Sequence, residues 1–216
     1  MMSVPRRFSV SMHKSVFLFR HGPPEEGGQH ICRGCHIDAR LSEEGERQTW
    51  ENLSYLQERF GDRLKTALVV TSPMQRARRF GEVFCEPFGV MPYVASGLTD
   101  LDVGEWEGLS WEDIKKEWPK QFSLCWKNAT RLHIPHGEPM LQFTNRVKKA
   151  WQHWIRQECE LLIFNVHKCV NKVILSSIDD RLLHFSGQKI GCMNEVLMGG
   201  DGGLRIVAED EQVYCT

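Results

Sequence analysis

The stretch SVFLFRHG, residues 15–22, decides the fold and indicates where the chemistry lies. Its first five residues are mostly apolar, and the run predicts a buried β-strand over residues 15–19. Arg20 and His21 follow directly, where a charged and a titratable side chain suit a hydrophobic core badly. Because ligands of open α/β sheets bind just beyond the carboxyl ends of the strands, the stretch predicts an anion-binding site there.

Apolar runs and amphipathic stretches alternate along the rest of the chain. The predicted strands cover residues 15–19, 67–71, 92–94 and 161–166, with edge strands at 195–198 and 204–207. The predicted helices cover residues 42–60, 73–88, 138–158 and 170–185. Ser42 is the expected N-cap of the first helix and Gly61 its expected stop. The alternation predicts an α/β fold with a largely parallel sheet.

The chain is long enough for one domain with a single sizeable core, since it has 216 residues of which 41% are hydrophobic. We expect residues 1–14 to be a disordered leader, because they are mildly basic and lack the apolar stretch of a secretory signal. Residues 105–137 contain four of the seven tryptophans. We interpret them as a short helical insertion over the carboxyl edge of the sheet, which acts as a lid.

The charge and hydropathy patterns exclude two classes of partner. The net charge of −1 gives no global electrostatic case for nucleic acid or an anionic membrane. No apolar run approaches the roughly 20 residues that span a bilayer. We therefore expect a cytoplasmic protein whose partner is a small molecule. No interface pattern is readable, so the oligomeric state stays open, with a homodimer as one arrangement.

The segment between Cys32 and His36 allows a rival interpretation. Its pattern C-x-x-C-H is typical of covalent haem attachment, and His30, Cys32, Cys35 and His36 lie close enough in sequence to bind a metal. Haem attachment requires export to an oxidising compartment, for which we see no signal. We expect no cofactor and no metal here, and a haem or metal protein remains the remote alternative.

Three predicted strand ends carry cationic or imidazole groups. They are Arg20 with His21, Arg76 in the first turn of the second helix, and His167 after strand 161–166. This set suits phosphoryl transfer. Arginines grip phosphoryl oxygens in a bidentate way, and a neutral imidazole can attack phosphorus. A second imidazole stabilises the developing charge, and a carboxylic acid from the acidic loop at residues 98–108 can protonate the departing alkoxide.

Four segments in this order resemble the phosphoglycerate mutase-like branch of the histidine phosphatase superfamily. They are Arg20-His21-Gly22, Ser72-Pro73-Met74-Gln75-Arg76-Ala77, Gly104-Glu105-Trp106-Glu107-Gly108 and Val166-His167. The resemblance extends over roughly residues 15–207. It implies a three-layer α/β/α sandwich, a mostly parallel sheet and a metal-free phosphohistidine mechanism.

The resemblance also implies roles for individual residues. His21 resembles the phosphorylated histidine, and Arg20, Arg76 and His167 resemble the rest of the phosphate pocket. Asp100 falls where many members place a glutamate proton donor. Glu105 or Asp102 could replace Asp100 as the acid. Possible substrate contacts are Arg33, Glu105 and Lys168. Gly137-Glu138 and Arg146-Val147 resemble the family's Gly-Glu and Arg-Val patterns.

Within the superfamily, the chain is similar to the alpha-ribazole phosphatase group in its length, its Gly34 to Gly45 segment and its tryptophan-rich insertion. This similarity implies hydrolysis of α-ribazole 5′-phosphate in cobalamin biosynthesis, with a phosphoglycerate mutase-like phosphotransferase as the alternative. Two departures from the family pattern, Pro23-Pro24 and Lys168-Cys169, replace residues that approach the phosphate. They leave open a degenerate protein that binds phosphate esters without turnover.

Overall fold

The computed structural model describes residues 13–25, 30–89 and 91–213. The expected leader lies outside the described residues up to residue 12. Its last residue, Lys14, already belongs to the first strand, because the Lys14 Nζ donates hydrogen bonds to the carbonyls of Ile155 and Gln157. Lys14 is thus a strand residue, and a disordered leader before it stays a prediction.

The described residues form six strands and six α-helices joined by short 3₁₀ turns. The strands are β1 Lys14–Arg20, β2 Leu68–Thr71, β3 Tyr93–Val94, β4 Leu161–Val166, β5 Met193–Met198 and β6 Leu204–Glu211. The helices are α1 Glu43–Phe60, α2 Gln75–Cys85, α3 Trp111–Glu117, α4 Pro119–Lys127, α5 Met140–Ile155 and α6 Lys168–Ile178.

The strands form one sheet in the order β3-β2-β4-β1-β5-β6. The pairings β3–β2, β2–β4 and β4–β1 are parallel, whereas β5 and β6 add an antiparallel edge. The prediction of a mostly parallel sheet is therefore confirmed. Because β1 lies beside β4, residues far apart in sequence reach the same edge of the sheet.

Side chains of the central strands alternate between two cores. Phe17 and Phe19 pack with apolar residues of α1 and α2, whereas Val16 and Leu18 pack with those of α5 and α6. This period of two is the pleat of a strand buried on both faces. The helices thus cover both faces of the sheet, which confirms the three-layer α/β/α fold.

Local sequence signals explain the ends of α1. The Ser42 side chain accepts a hydrogen bond from the Gly45 N–H, as an N-cap residue does. The helix ends at Gly61, which has a φ of 51°. Both predicted signals are confirmed.

The prediction of a helix over residues 170–185 is wrong at its C-terminal half. Helix α6 starts at Lys168 and ends at Ile178, and the chain then runs irregularly to β5. Asp180 has a φ of 53°, which a helix cannot accommodate. Phe185, the last residue of the predicted helix, instead lines a cavity at the carboxyl edge of the sheet, as does Ile190.

Two other predicted helices are shorter than expected. Pro139 precedes α5, so this helix covers Met140–Ile155 rather than residues 138–158. Helix α2 covers Gln75–Cys85, and residues Glu86–Phe88 form a 3₁₀ turn.

The tryptophan-rich segment forms α3, α4 and two 3₁₀ turns, as a helical insertion was expected to do. Trp106, Trp111, Leu132 and Ile134 of this segment line the cavity at the carboxyl edge. The insertion therefore covers this edge. Among the described residues, no helix is both long and apolar enough to cross a membrane.

Candidate active site

The carboxyl ends of β1, β2 and β4 bring the predicted phosphate-binding residues together. Arg20 is the last residue of β1 and pairs with Val166, the last residue of β4. The next residues, His21 and His167, consequently lie side by side, with their ring centroids 5.2 Å apart. Arg76, in the first turn of α2 after β2, contributes to the same cluster. The parallel register of the strands therefore explains why residues from three distant segments lie close together.

His21 is buried, and its hydrogen bond fixes which nitrogen carries the proton. Its Nδ1 lies 2.8 Å from the Gly22 carbonyl oxygen, which can only accept. In the neutral ring, Nδ1 therefore carries the hydrogen and Nε2 keeps a free lone pair. Burial, followed by the charges of Arg76, His167 and Arg20, holds the pKa of His21 well below its usual value. The site thus favours an unprotonated, nucleophilic imidazole.

Arg76 is fully buried and is held by the loop that follows Cys32. Its Nη1 donates to the Ile37 carbonyl at 3.0 Å, and its Nη2 donates to the Gly34 carbonyl at 2.8 Å. Nη2 also lies 3.1 Å from Asp100 Oδ2. These contacts fix the guanidinium plane, so that it presents its positive charge to the cavity it lines.

His167 contacts Ser72 on one side and Asp100 on the other. Its Nε2 lies 2.7 Å from the Ser72 hydroxyl, and its Nδ1 lies 3.5 Å from Asp100 Oδ2. Burial is the main reason why the pKa of His167 is held well below its usual value, with Arg76 and Arg20 adding to it. A nearby dianion would oppose this effect.

Two buried nitrogen atoms of this cluster lack a hydrogen-bond partner among the described residues. They are Arg20 Nε and His167 Nδ1. Buried polar groups in proteins are nearly always partnered, and each unmade bond costs about 1–3 kcal/mol. The orphaned Nε–H of Arg20, next to Arg76, therefore indicates an anionic ligand that accepts from it.

An ion pair between Arg146 of α5 and Glu138 holds the loop that carries Asp100. The guanidinium of Arg146 donates to the carbonyls of Gly97, Thr99 and Asp100 at 3.1, 2.7 and 2.9 Å. Glu138 accepts two further bonds from Arg146, at 2.7 and 2.8 Å. The family-like Gly-Glu and Arg-Val patterns thus act by positioning Asp100 from outside the cavity.

A buried amide cluster, formed by Gln188 and Asn194, holds Arg20, and no sequence pattern indicated it. Arg20 Nη1 donates to the carbonyl of Gln188, whose side chain donates to Asn194 Oδ1 at 2.7 Å. Asn194 in turn donates to the Leu18 carbonyl at 2.9 Å. Gln188 has a φ of 63°. No motif marks such residues, because they act through long-range contacts with the strand.

The cluster opens into a cavity of about 230 Å³. Arg20, His21, Arg76 and Asp100 line one end of it. The remaining wall is mainly apolar and includes Leu101, Val103, Trp106, Trp111, Phe185 and Ile190. The cavity thus joins a cationic cluster to a mainly apolar wall.

The other candidate acids and substrate contacts lie in different parts of the structure. Arg33 and Lys168 line the cavity, and their role as substrate contacts stays a prediction. Glu105 is exposed and does not line it, and its Oε1 lies 3.3 Å from His136 Nε2. Asp102 accepts a hydrogen bond from the Gly104 N–H. Of the three acidic candidates, only Asp100 lies close to His167 and lines the cavity among the described residues.

Pro24 and Lys168, which belong to the two departures from the family pattern, lie on the cavity wall. The Lys168 ammonium lies 4.8 Å from the ring centroid of Trp126 and 5.9 Å from that of Trp111. Burial lowers the pKa of Lys168, with Arg20 contributing. Pro24 also lines the cavity, while the Pro23 carbonyl accepts from Ser42. Lys168 thus lies on the cavity wall against two tryptophan rings.

The C-x-x-C-H segment is divided between two sides of a loop. Cys32 is buried and lines the cavity, whereas Cys35 and His36 lie on the outer side near Asp102 and Glu107. Both cysteines are free thiols in the described part of the chain. The spacing therefore does not present Cys32 and Cys35 to one haem.

Comparisons with known proteins agree with this arrangement. A family model described as the histidine phosphatase superfamily (branch 1) matches residues 16–202. Human 6-phosphofructo-2-kinase/fructose-2,6-bisphosphatase 1 is 26% identical over 168 residues, which are 78% of this chain and 33% of that protein. The chain thus spans about a third of the length of this relative.

A bacterial relative and a solved structure extend the comparison. The probable phosphoglycerate mutase GpmB of Klebsiella pneumoniae is 28% identical over 141 residues, which are 62% of this chain and 60% of that protein. The structure of the alpha-ribazole phosphatase from Shigella flexneri has the same fold, with a TM-score of 0.72 at 16% identity, covering 94% of this chain and 98% of that one. The chain therefore belongs to the histidine phosphatase superfamily, branch 1.

Proposed function

We propose that the protein is a phosphomonoesterase that acts through a phosphohistidine at His21. The observation that carries this proposal is the His21 imidazole, whose Nδ1 hydrogen is committed to the Gly22 carbonyl. Its Nε2 is thereby left as a nucleophile beside Arg20, Arg76 and His167. Membership of a family of phosphatases and mutases supports the same reaction class.

In the first half of the proposed reaction, Arg20, Arg76 and His167 bind the phosphoryl oxygens. The lone pair of His21 Nε2 attacks phosphorus in line, and the bond to the leaving oxygen breaks. Asp100 gives its proton to that oxygen, so that an alcohol departs.

In the second half, the Asp100 carboxylate accepts a proton from water while the water oxygen attacks phosphorus. The phosphorus–nitrogen bond breaks, and its electron pair returns to His21 Nε2. Inorganic phosphate leaves, and Asp100 is protonated again. Every proton and electron pair is accounted for without a metal or another co-reactant.

For the substrate, we propose a small phosphate ester with a flat apolar group, such as α-ribazole 5′-phosphate. The apolar wall with Trp106 and Trp111 supports this class, since aromatic rings stack well on indoles. The fold shared with the Shigella flexneri phosphatase is compatible with it. Action in the cytoplasm on the cobalamin route forms part of this proposal.

A mutase is the second candidate, and Lys168 is the observation that favours it. Its ammonium lies on the cavity wall and could pair with a second acidic group, as a phosphoglycerate carries. The relative from Klebsiella pneumoniae supports the same candidate. A mutase would move phosphate between hydroxyls rather than release it to water.

The test is phosphate release near pH 6 in the presence of a chelator. The substrates are para-nitrophenyl phosphate, α-ribazole 5′-phosphate and 3-phosphoglycerate, and the control is His21→Ala. We expect release that survives chelation and vanishes in the variant, with α-ribazole 5′-phosphate as the best substrate. Isomerisation of phosphoglycerate without release would identify a mutase. Binding without turnover of any ester would identify a degenerate protein.

A further inference from the structure

We propose that Cys35, His36 and Asp102 form a zinc-binding site on the outer side of the loop that holds Arg76. The loop packs against the rim of the cavity, but these three residues are separate from the proposed catalytic groups. The inference goes beyond the proposed function, because that reaction requires no metal.

The distances suit a small tetrahedral ion. One ligand atom from each of the three residues lies within 4.8 Å of the other two, and Asp102 Oδ1 lies 3.9 Å from Nδ1 of the His36 ring. Cys35 Sγ is 4.0 Å from His36 Nε2. Zinc lies about 2.3 Å from sulfur and about 2.0 Å from nitrogen, which places the two ligand atoms about 3.5 Å apart. Small side-chain rotations therefore close the site, because Cys35 is partly exposed and His36 is exposed.

Glu107 already orients the imidazole as a metal ligand requires. His36 Nδ1 lies 2.7 Å from Glu107 Oε2, and since a carboxylate only accepts, Nδ1 donates. Metal-binding histidines commonly donate their second ring N–H to a carboxylate in this way. Glu107 Oε1 also accepts from the backbone N–H groups of His36 and Ile37, both at 2.7 Å. Nε2 is thus the free nitrogen on a fixed loop.

The chemistry of the donors favours zinc over magnesium or calcium. A thiolate and an imidazole are soft or borderline ligands, whereas magnesium and calcium select oxygen. The carboxylates of Asp102 and Glu107 lie 3.9 and 2.7 Å from the His36 ring, so this side of the loop attracts a cation. On binding, the Cys35 thiol loses its proton to solvent and its sulfur bonds to the ion. Water completes the fourth position.

The position of this cluster gives the ion a structural task. Gly34, with a φ of 60°, turns the loop so that its carbonyl reaches Arg76. The Ile37 carbonyl, on the other side of the cluster, accepts from Arg76 as well. An ion bound at Cys35 and His36 would therefore fix the segment between both carbonyls and hold the arginine.

The test uses cobalt as a spectroscopic substitute for zinc in the reduced full-length protein. We expect one equivalent of Co²⁺ to give thiolate-to-cobalt charge-transfer absorption together with intense tetrahedral d–d bands, both displaced by Zn²⁺. Cys35→Ser should remove the charge-transfer band, and the matched control Cys159→Ser should keep it. Cys159 is a half-buried thiol on the loop between α5 and β4.

Two further variants keep the test decisive. Because His36 is exposed, His36→Ala should fold normally and lose the tetrahedral bands. Glu107→Gln should weaken zinc affinity about 10–100-fold, as loss of an orienting carboxylate does. Absence of the charge-transfer band in the unmodified protein, or its persistence in Cys35→Ser, would overturn the proposal. None of these readouts requires turnover, so failure of the phosphatase assay would leave the result intact.

Discussion

At the scale of single residues, the proposed reaction depends on the protonation state of His21. Burial and the neighbouring cations Arg76, His167 and Arg20 lower its pKa. A lowered pKa keeps the imidazole neutral, and hence nucleophilic, to a pH below the ordinary histidine value of about 6.5. Activity that depends on this group is present above the lowered pKa and lost as the pH falls through it.

We therefore predict that the acid limb of the kcat/KM profile lies well below pH 6.5, because this parameter reports the free enzyme. The measurement is kcat/KM for para-nitrophenyl phosphate across the acid range at constant ionic strength. A limb centred at or above pH 6.5 would show that His21 titrates like an exposed histidine, which the buried site does not allow.

Asp100 is the second residue whose role can be isolated. If it protonates the leaving oxygen, Asp100→Asn should lower kcat by about 10²–10⁴-fold for alkyl phosphates. Para-nitrophenyl phosphate should lose much less, because nitrophenolate departs without a proton. The measurement is kcat for both substrates with the same enzyme preparations. An equal loss for the two substrates would assign Asp100 to phosphate binding or to the support of Arg76 and His167.

At the scale of elements, α5 places Asp100 through the pair of Arg146 and Glu138. Arg146→Lys keeps the charge but removes the fork that grips three carbonyls and a carboxylate together. We predict a fall in kcat of about 100-fold, as a shift of about 1 Å in a catalytic group produces. The inhibition constant of inorganic phosphate should change little.

The control for this prediction is Lys149→Ala, an exposed position on the same helix. It should leave both kcat and the inhibition constant unchanged. Parallel losses of kcat and phosphate affinity in Arg146→Lys would contradict a positioning role and indicate collapse of the whole pocket.

At the scale of the whole molecule, the central sheet carries both the fold and the site. Ile163 of β4 is fully buried in the core beneath α1 and α2. We predict that Ile163→Ala lowers the free energy of unfolding by about 2–5 kcal/mol, the usual cost of truncating a buried aliphatic side chain. Urea denaturation followed by circular dichroism measures it.

Val207→Ala on the edge strand β6 is the matched control, because Val207 is 38% exposed. It should cost less than about 1 kcal/mol. Similar losses at both positions would mean that the described sheet does not distinguish core from edge.

The sequence predicted those parts of the molecule that depend on local pattern. Residues 161–166 are apolar except for Asn165, so the pattern predicted a strand buried on both faces, and Arg20 and His167 at the ends of two strands indicated the site. The wrong C-terminal end of the predicted helix 170–185 shows the limit, because Phe185 is apolar where it lines the cavity and not because it packs in a helix. No sequence pattern indicated Gln188 or Asn194, since the contact of this pair with Arg20 joins residues that are distant in sequence.

The central claim is that His21 carries the phosphoryl group during turnover. The most direct measurement is to mix the protein with phosphate-labelled substrate, quench within one turnover and map the label. We predict an acid-labile, base-stable phosphate on the peptide that contains His21, and its loss together with turnover in His21→Ala. Substrate hydrolysis without a labelled peptide, or undiminished hydrolysis by His21→Ala, would contradict the account.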